Sequence, residues 1–218
     1  PGRVVGVDVN QRSLEFARQK SVAAGLANAE FRQADALALA MPSESFAMVY
    51  CNNVTSFIRD RDAAVREYYR VLEPGGYLAA VPIYYHRTPP APLLAAVEEA
   101  VGAPLSVRGK QDVYDLFHSP SSTLFFDQDY EYVPQTAARM EEHANEVMSQ
   151  SVLDEFPTDA REAMAERLAY FYRLFDENLT YARFCILIYR KHAPVAGRDQ
   201  LENEPILYRA RQVEERSA

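Results

Sequence analysis

Two acids stand where a parallel α/β sheet would place ligand-binding side chains. Asp8 ends the β-branched run Val4-Val5-Gly6-Val7, and Asp35 follows a second strand-like run from Ala29 to Gln33. Open α/β sheets bind ligands at the carboxyl ends of their strands. A carboxylate at Asp8 can accept both hydroxyls of a ribose, and one at Asp35 can accept from an exocyclic amine such as adenine's. Each has a plainer reading: Asp8 caps the next helix, and Asp35 is satisfied by its own turn. As a pair they match the ribose and base of one nucleoside. Asn52 and Asn53 follow the third strand, where they either contact the ligand's polar tail or simply turn the chain. Tyr84, Tyr85 and His86 follow the fourth and offer groups for proton transfer, with His118 and Tyr130 as further candidates. No acids and histidines stand out at metal-ligand spacing, so no metal is expected. Cys51 and Cys185 lie in apolar runs and read as buried free thiols, too few for a disulfide framework or four zinc ligands.

The elements that must position these residues are legible in the first half. Arg3 to Val9 has the pattern of a strand buried on both faces. Asn10 is a helix cap, followed by Leu14, Ala17 and Val22 and a stop at Gly25. Ser45 to Cys51 is the third strand, Asp60 to Leu72 a helix, and Tyr77 to Ile83 a fourth strand after Pro74-Gly75-Gly76. Strand and helix alternating in this way specify a parallel α/β sheet. The second half differs. Short helices are expected over Leu93 to Val101 and Gln111 to Phe117, and a half-buried strand over Leu124 to Val133, with Phe126, Tyr130 and Tyr132 on one face. Two amphipathic helices follow, Gln135 to Val152 and Asp159 to Leu179, with Met164, Phe171 and Phe175 expected to face inward. Tyr181 to Lys191 is apolar on both faces and belongs inside the sheet.

Composition narrows the function. The 218 residues carry 23 Lys plus Arg against 31 Asp plus Glu, a net charge of −8, which disfavours a protein that grips nucleic-acid backbone. With 48% hydrophobic and 25% charged residues the chain is an ordinary globular one. Its longest apolar run, Phe184 to Tyr189, is far below the ~18 residues of a membrane helix. Reduced cysteines and no secretory leader give the expectation of a cytoplasmic protein.

Gly6-Val7-Asp8-Val9-Asn10, Ala34-Asp35-Ala36, Phe46-Ala47-Met48-Val49 and Arg70-Val71-Leu72-Glu73-Pro74-Gly75-Gly76 come in the order seen in class I S-adenosylmethionine-dependent methyltransferases, which the chain resembles from Pro1 to about Ile83. Ala47 departs from the family, which usually has an acid there. The resemblance implies a Rossmann-like, mostly parallel sheet with an antiparallel C-terminal strand. It also implies an S-adenosyl-L-methionine site formed by Asp8, Val9, Ala34, Asp35, Ala36, Cys51, Asn52 and Asn53. The family's Gly-rich loop would lie upstream of Pro1, so residues 1–192 are expected to be a domain lacking an N-terminal strand, followed by a polar tail over 193–218. Segments 89–117 and 135–179 are expected to form a helical cap over a small-molecule acceptor, with no nucleic acid or membrane as partner. Methyl transfer is an in-line displacement, so positioning carries the rate, with His86, Tyr84 or Tyr85 handling any proton. An NAD-dependent oxidoreductase and an inactive, partner-binding module are the alternatives.

Overall fold

The computed structural model describes residues 2–102, 105–149 and 153–193. Strand β1 (Val4–Asp8), helix α1 (Gln11–Ala23) and strand β2 (Ala29–Gln33) form one unit, with β1 and β2 paired in parallel. Asn10 caps α1 as expected, its side chain accepting from the Arg12 and Ser13 amides, and Gly25 turns the chain at φ +66°. Strand β3 (Phe46–Asn52) leads through a 3-10 turn (Val54–Phe57) to α2 (Arg61–Val71), which runs directly into β4 (Leu72–Val81). After Pro82 come β5 (Ile83–Tyr85), α3 (Ala91–Val101), α4 (Lys110–Phe117) and β6 (Ser122–Glu131). The described chain ends with α5 (Ala137–Met148), α6 (Thr158–Leu179) and β7 (Ala182–Lys191). The expected extension of α5 over 150–152, and the tail from 194 onward, lie outside the described residues.

Strand β7 organises the larger sheet. One edge pairs antiparallel with β4 and then β5, while its other edge pairs antiparallel with β6. Beyond β4 lies β3, in parallel. The expectation of an interior final strand therefore holds, and Cys185, Leu187 and Tyr189 are buried on it. They join Cys51, Val65, Tyr68, Leu72, Leu78, Val113 and Phe117 in the main core. Burying each such side chain contributes about 1.5–3 kcal/mol. The Lys191 ammonium donates to the carbonyls of Tyr69 (2.9 Å) and Leu72 (2.7 Å), satisfying orphan acceptors where α2 ends. At Gly76 an added Cβ would lie 2.9 Å from the Ala47 carbonyl oxygen, so glycine is what lets β4 approach β3.

Three burial expectations are corrected. Strand β1 is not covered on both faces: Val4 is 58% and Val7 39% exposed, because among the described residues β1 pairs with β2 alone and α1 shields one side. On β6, Phe126 is 38% exposed, since a register shift between Leu124 and Phe126 interrupts the simple alternation and β6 is an edge strand. Met164 is also 38% exposed on α6 rather than turned inward.

The β1–α1–β2 unit is tied to the larger sheet through residues 39–45. Leu39 is buried in the main core, and its amide donates to Glu67 Oε2 at 2.8 Å. Arg70 donates from Nη2 to the Leu39 carbonyl at 2.7 Å and from Nη1 to the Met41 carbonyl at 2.8 Å. Glu67 and Arg70 are themselves paired at 2.6 Å. The Arg70 hydrogen bond, working against desolvation and helped by the Leu39 amide, holds the Glu67 carboxyl below its ordinary value of 4.5. A carboxyl lowered by folding stabilises fully above its unfolded value and stops doing so as pH falls through its folded one. Glu67→Gln should lower Tm at neutral pH and flatten the fall of Tm below pH 4.5. A variant profile parallel to the parent's across that acid limb, in a thermal-melt series, would contradict the clamp.

Candidate active site

The two acids follow neighbouring, parallel-paired strands. Asp8 and Gln33 are register partners at the ends of β1 and β2, and the Ala34 amide donates to the Asp8 carbonyl at 3.1 Å. Asp8 is exposed. Its Oδ1 accepts from the Asn10 amide at 2.8 Å, while Asn10, not Asp8, caps the helix. The second carboxylate oxygen has no hydrogen-bond partner among the described residues, so it is available to a ligand hydroxyl. Asp35 is likewise exposed, with Oδ1 accepting from the Leu37 amide at 2.9 Å in a local turn. One oxygen of each acid thus shapes its own loop. Val9 is exposed beside them, its carbonyl accepting from Gln33 Nε2 at 2.9 Å.

Ala34 and Ala36 pack against the core cluster that contains Cys51, which brings this loop toward the end of β3. Cys51 is buried, and desolvation pushes its thiol up to about 12, so it acts as a wall and not as a nucleophile. Asn52 is exposed at the end of β3. Asn53 adopts the left-handed region at φ 53°, which Asn tolerates better than most residues. Its amide donates to the Val81 carbonyl at 2.9 Å and its Oδ1 accepts from the Ser56 hydroxyl at 2.5 Å.

Asn53 also lines a cavity of about 170 Å³ at the carboxyl ends of β3 and β4. The walls are Pro82, Ile83 and Tyr85 from the sheet and Val97, Val113 and Phe175 from α3, α4 and α6. Among the expected proton-handling residues, Tyr85 alone lines it. Its hydroxyl meets the buried side-chain amide of Asn178, which donates to it at 3.1 Å. Tyr84 points to the opposite face of β5, as the two-residue period of a strand requires. There it is buried, and desolvation followed by its hydrogen bond with Asp129 pushes the phenol up to about 12. His86 is exposed, with Nε2 3.3 Å from the Thr180 carbonyl oxygen, and does not line the cavity. His118 is exposed just past α4, and Tyr130 stacks on Phe184 at 5.0 Å, both away from it.

Three features were hidden from sequence reasoning. Asn178 lies one turn beyond Leu174 and Phe175 on the inward stripe of α6, and a lone amide on such a stripe was the available signal. Arg61 and Arg108 both line the cavity from segments far apart in sequence. Ligand atoms of Asp127, Asp129 and Cys185 lie within 4.8 Å of one another, although no spacing suggested a cluster. That cluster already has a cation, because Lys110 Nζ sits 2.7 Å from Asp129 and 3.3 Å from Asp127. Desolvation opposes the ammonium charge, but its hydrogen bonds with Asp129, Tyr114 and Asp127 outweigh that and raise the Lys110 pKa.

No described helix is long and apolar enough to cross a membrane. Residues 1–80 match the family model described as the methyltransferase domain. The chain is 38% identical over 78 residues to the ubiquinone/menaquinone biosynthesis C-methyltransferase UbiE of Escherichia coli O1:K1 / APEC, covering 35% of this chain and 31% of the relative. It therefore spans about a third of the length of the curated relatives it matches. Among solved structures, MccD protein superposes with a TM-score of 0.68 at 20% identity, covering 87% of this chain and 80% of that one. The [4+2]-cyclase SpnF gives a TM-score of 0.65 at 18% identity, covering 88% and 67%. Residues 1–80 are thus similar to a methyltransferase domain, and the fold is Rossmann-like, shared with these solved structures.

Proposed function

We propose that this chain is a methyltransferase domain that uses S-adenosyl-L-methionine to methylate a small molecule held in the cavity beneath α3, α4 and α6. The observation that carries this reading is the double position of Asn53. It follows Cys51 and Asn52 at the end of β3, and it also lines the cavity, so donor and acceptor sites share a wall. The likeness to UbiE, a C-methyltransferase, supports the reaction class.

The residues present fit the cofactor. Asp8 has an exposed carboxylate oxygen free for the ribose, and Asp35 offers the same for the adenine amine. When bound, S-adenosylmethionine supplies an electrophilic methyl group on a sulfonium. The chain's own contribution is to orient both partners and keep water out. Val97, Val113 and Phe175 give the acceptor apolar walls, and Asn178 fixes the Tyr85 hydroxyl. Tyr85 is the group placed to accept or relay a proton from an acceptor that arrives protonated. The cap assigned to 89–117 and 135–179 is supported by α3, α4 and α6, whereas α5 packs on α6 and does not line the cavity. A single domain over 1–192 in the reducing cytoplasm fits the buried, unpaired thiols.

Asp8→Ala should weaken S-adenosylhomocysteine binding by about 10- to 150-fold, the span for losing a hydrogen bond to a charged group. Unchanged calorimetric affinity would remove Asp8 from the site. Tyr85→Phe should cut turnover of a protonated acceptor by about 100-fold or more while leaving cofactor affinity intact. Tyr84→Phe, on the other face of β5, should leave turnover as it is. Equal losses from the two substitutions would contradict the assignment. Saturable cofactor binding with no methyl transfer to any small acceptor would leave the fold serving another reaction, as the name of SpnF shows for that protein.

A further inference from the structure

The cavity has apolar walls with a few polar groups among them, and it holds one charged feature that the proposed reaction does not explain. Arg61, the first residue of α2, reaches it with Nη2 3.2 Å from the Ser56 carbonyl oxygen and Nε 3.3 Å from that of Ile58. Arg108 reaches it from the segment before α4, held there by its carbonyl, which accepts from the Tyr85 amide at 2.8 Å. Neither guanidinium has an ion-pair partner among the described residues, although the chain carries eight more acids than bases. Asp112 is the carboxylate in the cavity wall, and its Oδ2 is turned to the Gly109 amide at 2.8 Å. Asp60, next to Arg61, is spent capping α2 through the Ala63 amide at 2.9 Å. Burial, and then the charge of Arg108, lower the Arg61 pKa, so the two cations repel across the same space.

Two guanidiniums against the single wall carboxylate of Asp112 leave the cavity with an excess positive charge, which is costly unless a ligand balances it. We propose that Arg61 and Arg108 form an anion clamp, and that the molecule bound here is an amphiphile whose carboxylate or phosphate head pairs with both guanidiniums while its apolar body lies against Val97, Val101 and Phe175. The planar forks of arginine match both head groups. At about 170 Å³ the space is smaller than the ~300–1,000 Å³ clefts of drug-sized ligands, so the apolar body is short. The inference rests on reading this cavity as the acceptor pocket, and it adds the charge and class of what enters.

The test is a calorimetric titration of the protein with four probes that share one chain and differ in head group: hexanoate, hexyl phosphate, hexylamine and 1-hexanol. Hexanoate, hexyl phosphate or both should bind saturably, tighter than hexylamine and 1-hexanol, and the better anion identifies the head group. Arg61→Gln and Arg108→Gln should each weaken anion binding by about tenfold or more, with partial rescue in Arg108→Lys. S-adenosylhomocysteine titrated into the same variants reports whether the fold is intact. The inference is overturned if neither anion binds a chain that binds S-adenosylhomocysteine. It is also overturned if the amine or alcohol binds as tightly, or if both Gln variants keep parental anion affinity. Clamp behaviour without methyl transfer would instead overturn the proposed reaction and leave the anion site standing.

Discussion

The candidate site depends on a clamp between one helix and one loop. Its residues come from two sheets: Asp8 and Asp35 from the β1–β2 pair, Asn52 and Asn53 from the sheet organised by β7. Among the described residues those sheets share no strand pairing. Glu67 and Arg70, one turn apart on α2, reach out to the backbone of Leu39 and Met41 and draw the loop after β2 onto the main core. The charged hydrogen bonds satisfy loop groups that would otherwise face apolar surface. Leu39 adds the hydrophobic part of the same attachment. Ala34 and Ala36 then pack against the main core cluster, which includes Cys51 at the end of β3.

The acceptor side is built by a different device. Because β7 pairs with β4 and then β5 along one edge, Pro82 can interrupt the strand without losing the sheet, and the Cys185 amide still donates to the Pro82 carbonyl at 3.2 Å. The break leaves Ile83 and Tyr85 facing the helices. Helix α6 returns over this point and contributes Phe175 and Asn178, while α3 and α4 close the sides. Asn178, buried and bonded to Tyr85, ties the last helix to the sheet at the cavity itself.

How much of this was legible follows from what each residue answers to. Helix α1 was read correctly because its cap, Asn10, and its stop, Gly25, are local signals. The interior place of β7 was legible because a strand buried on both faces must be apolar on both. β1 carries the same pattern, yet its burial depends on neighbours that local residue order does not state. The grouping of Tyr84, Tyr85 and His86 took adjacency in sequence for adjacency in space. A strand turns successive side chains to opposite faces, so the three diverge. Arg61 and Arg108 gave no signal because their meeting depends on α2 and the segment before α4 converging through the tertiary fold. The positions of Asp8 and Asp35 at or just past strand ends were legible because alternating strand and helix signals mark where β1 and β2 stop.

The central claim is that a nucleoside held by Asp8 and Asp35 presents its reactive end to a cavity beginning at Asn53. A crystal structure of the protein with S-adenosylhomocysteine tests it most directly. The account expects the ribose hydroxyls on the Asp8 carboxylate, the adenine amine on Asp35, and the sulfur facing the cavity past Asn53. A nucleoside seated away from the ends of β1 and β2, or a sulfur turned away from the cavity, would contradict it.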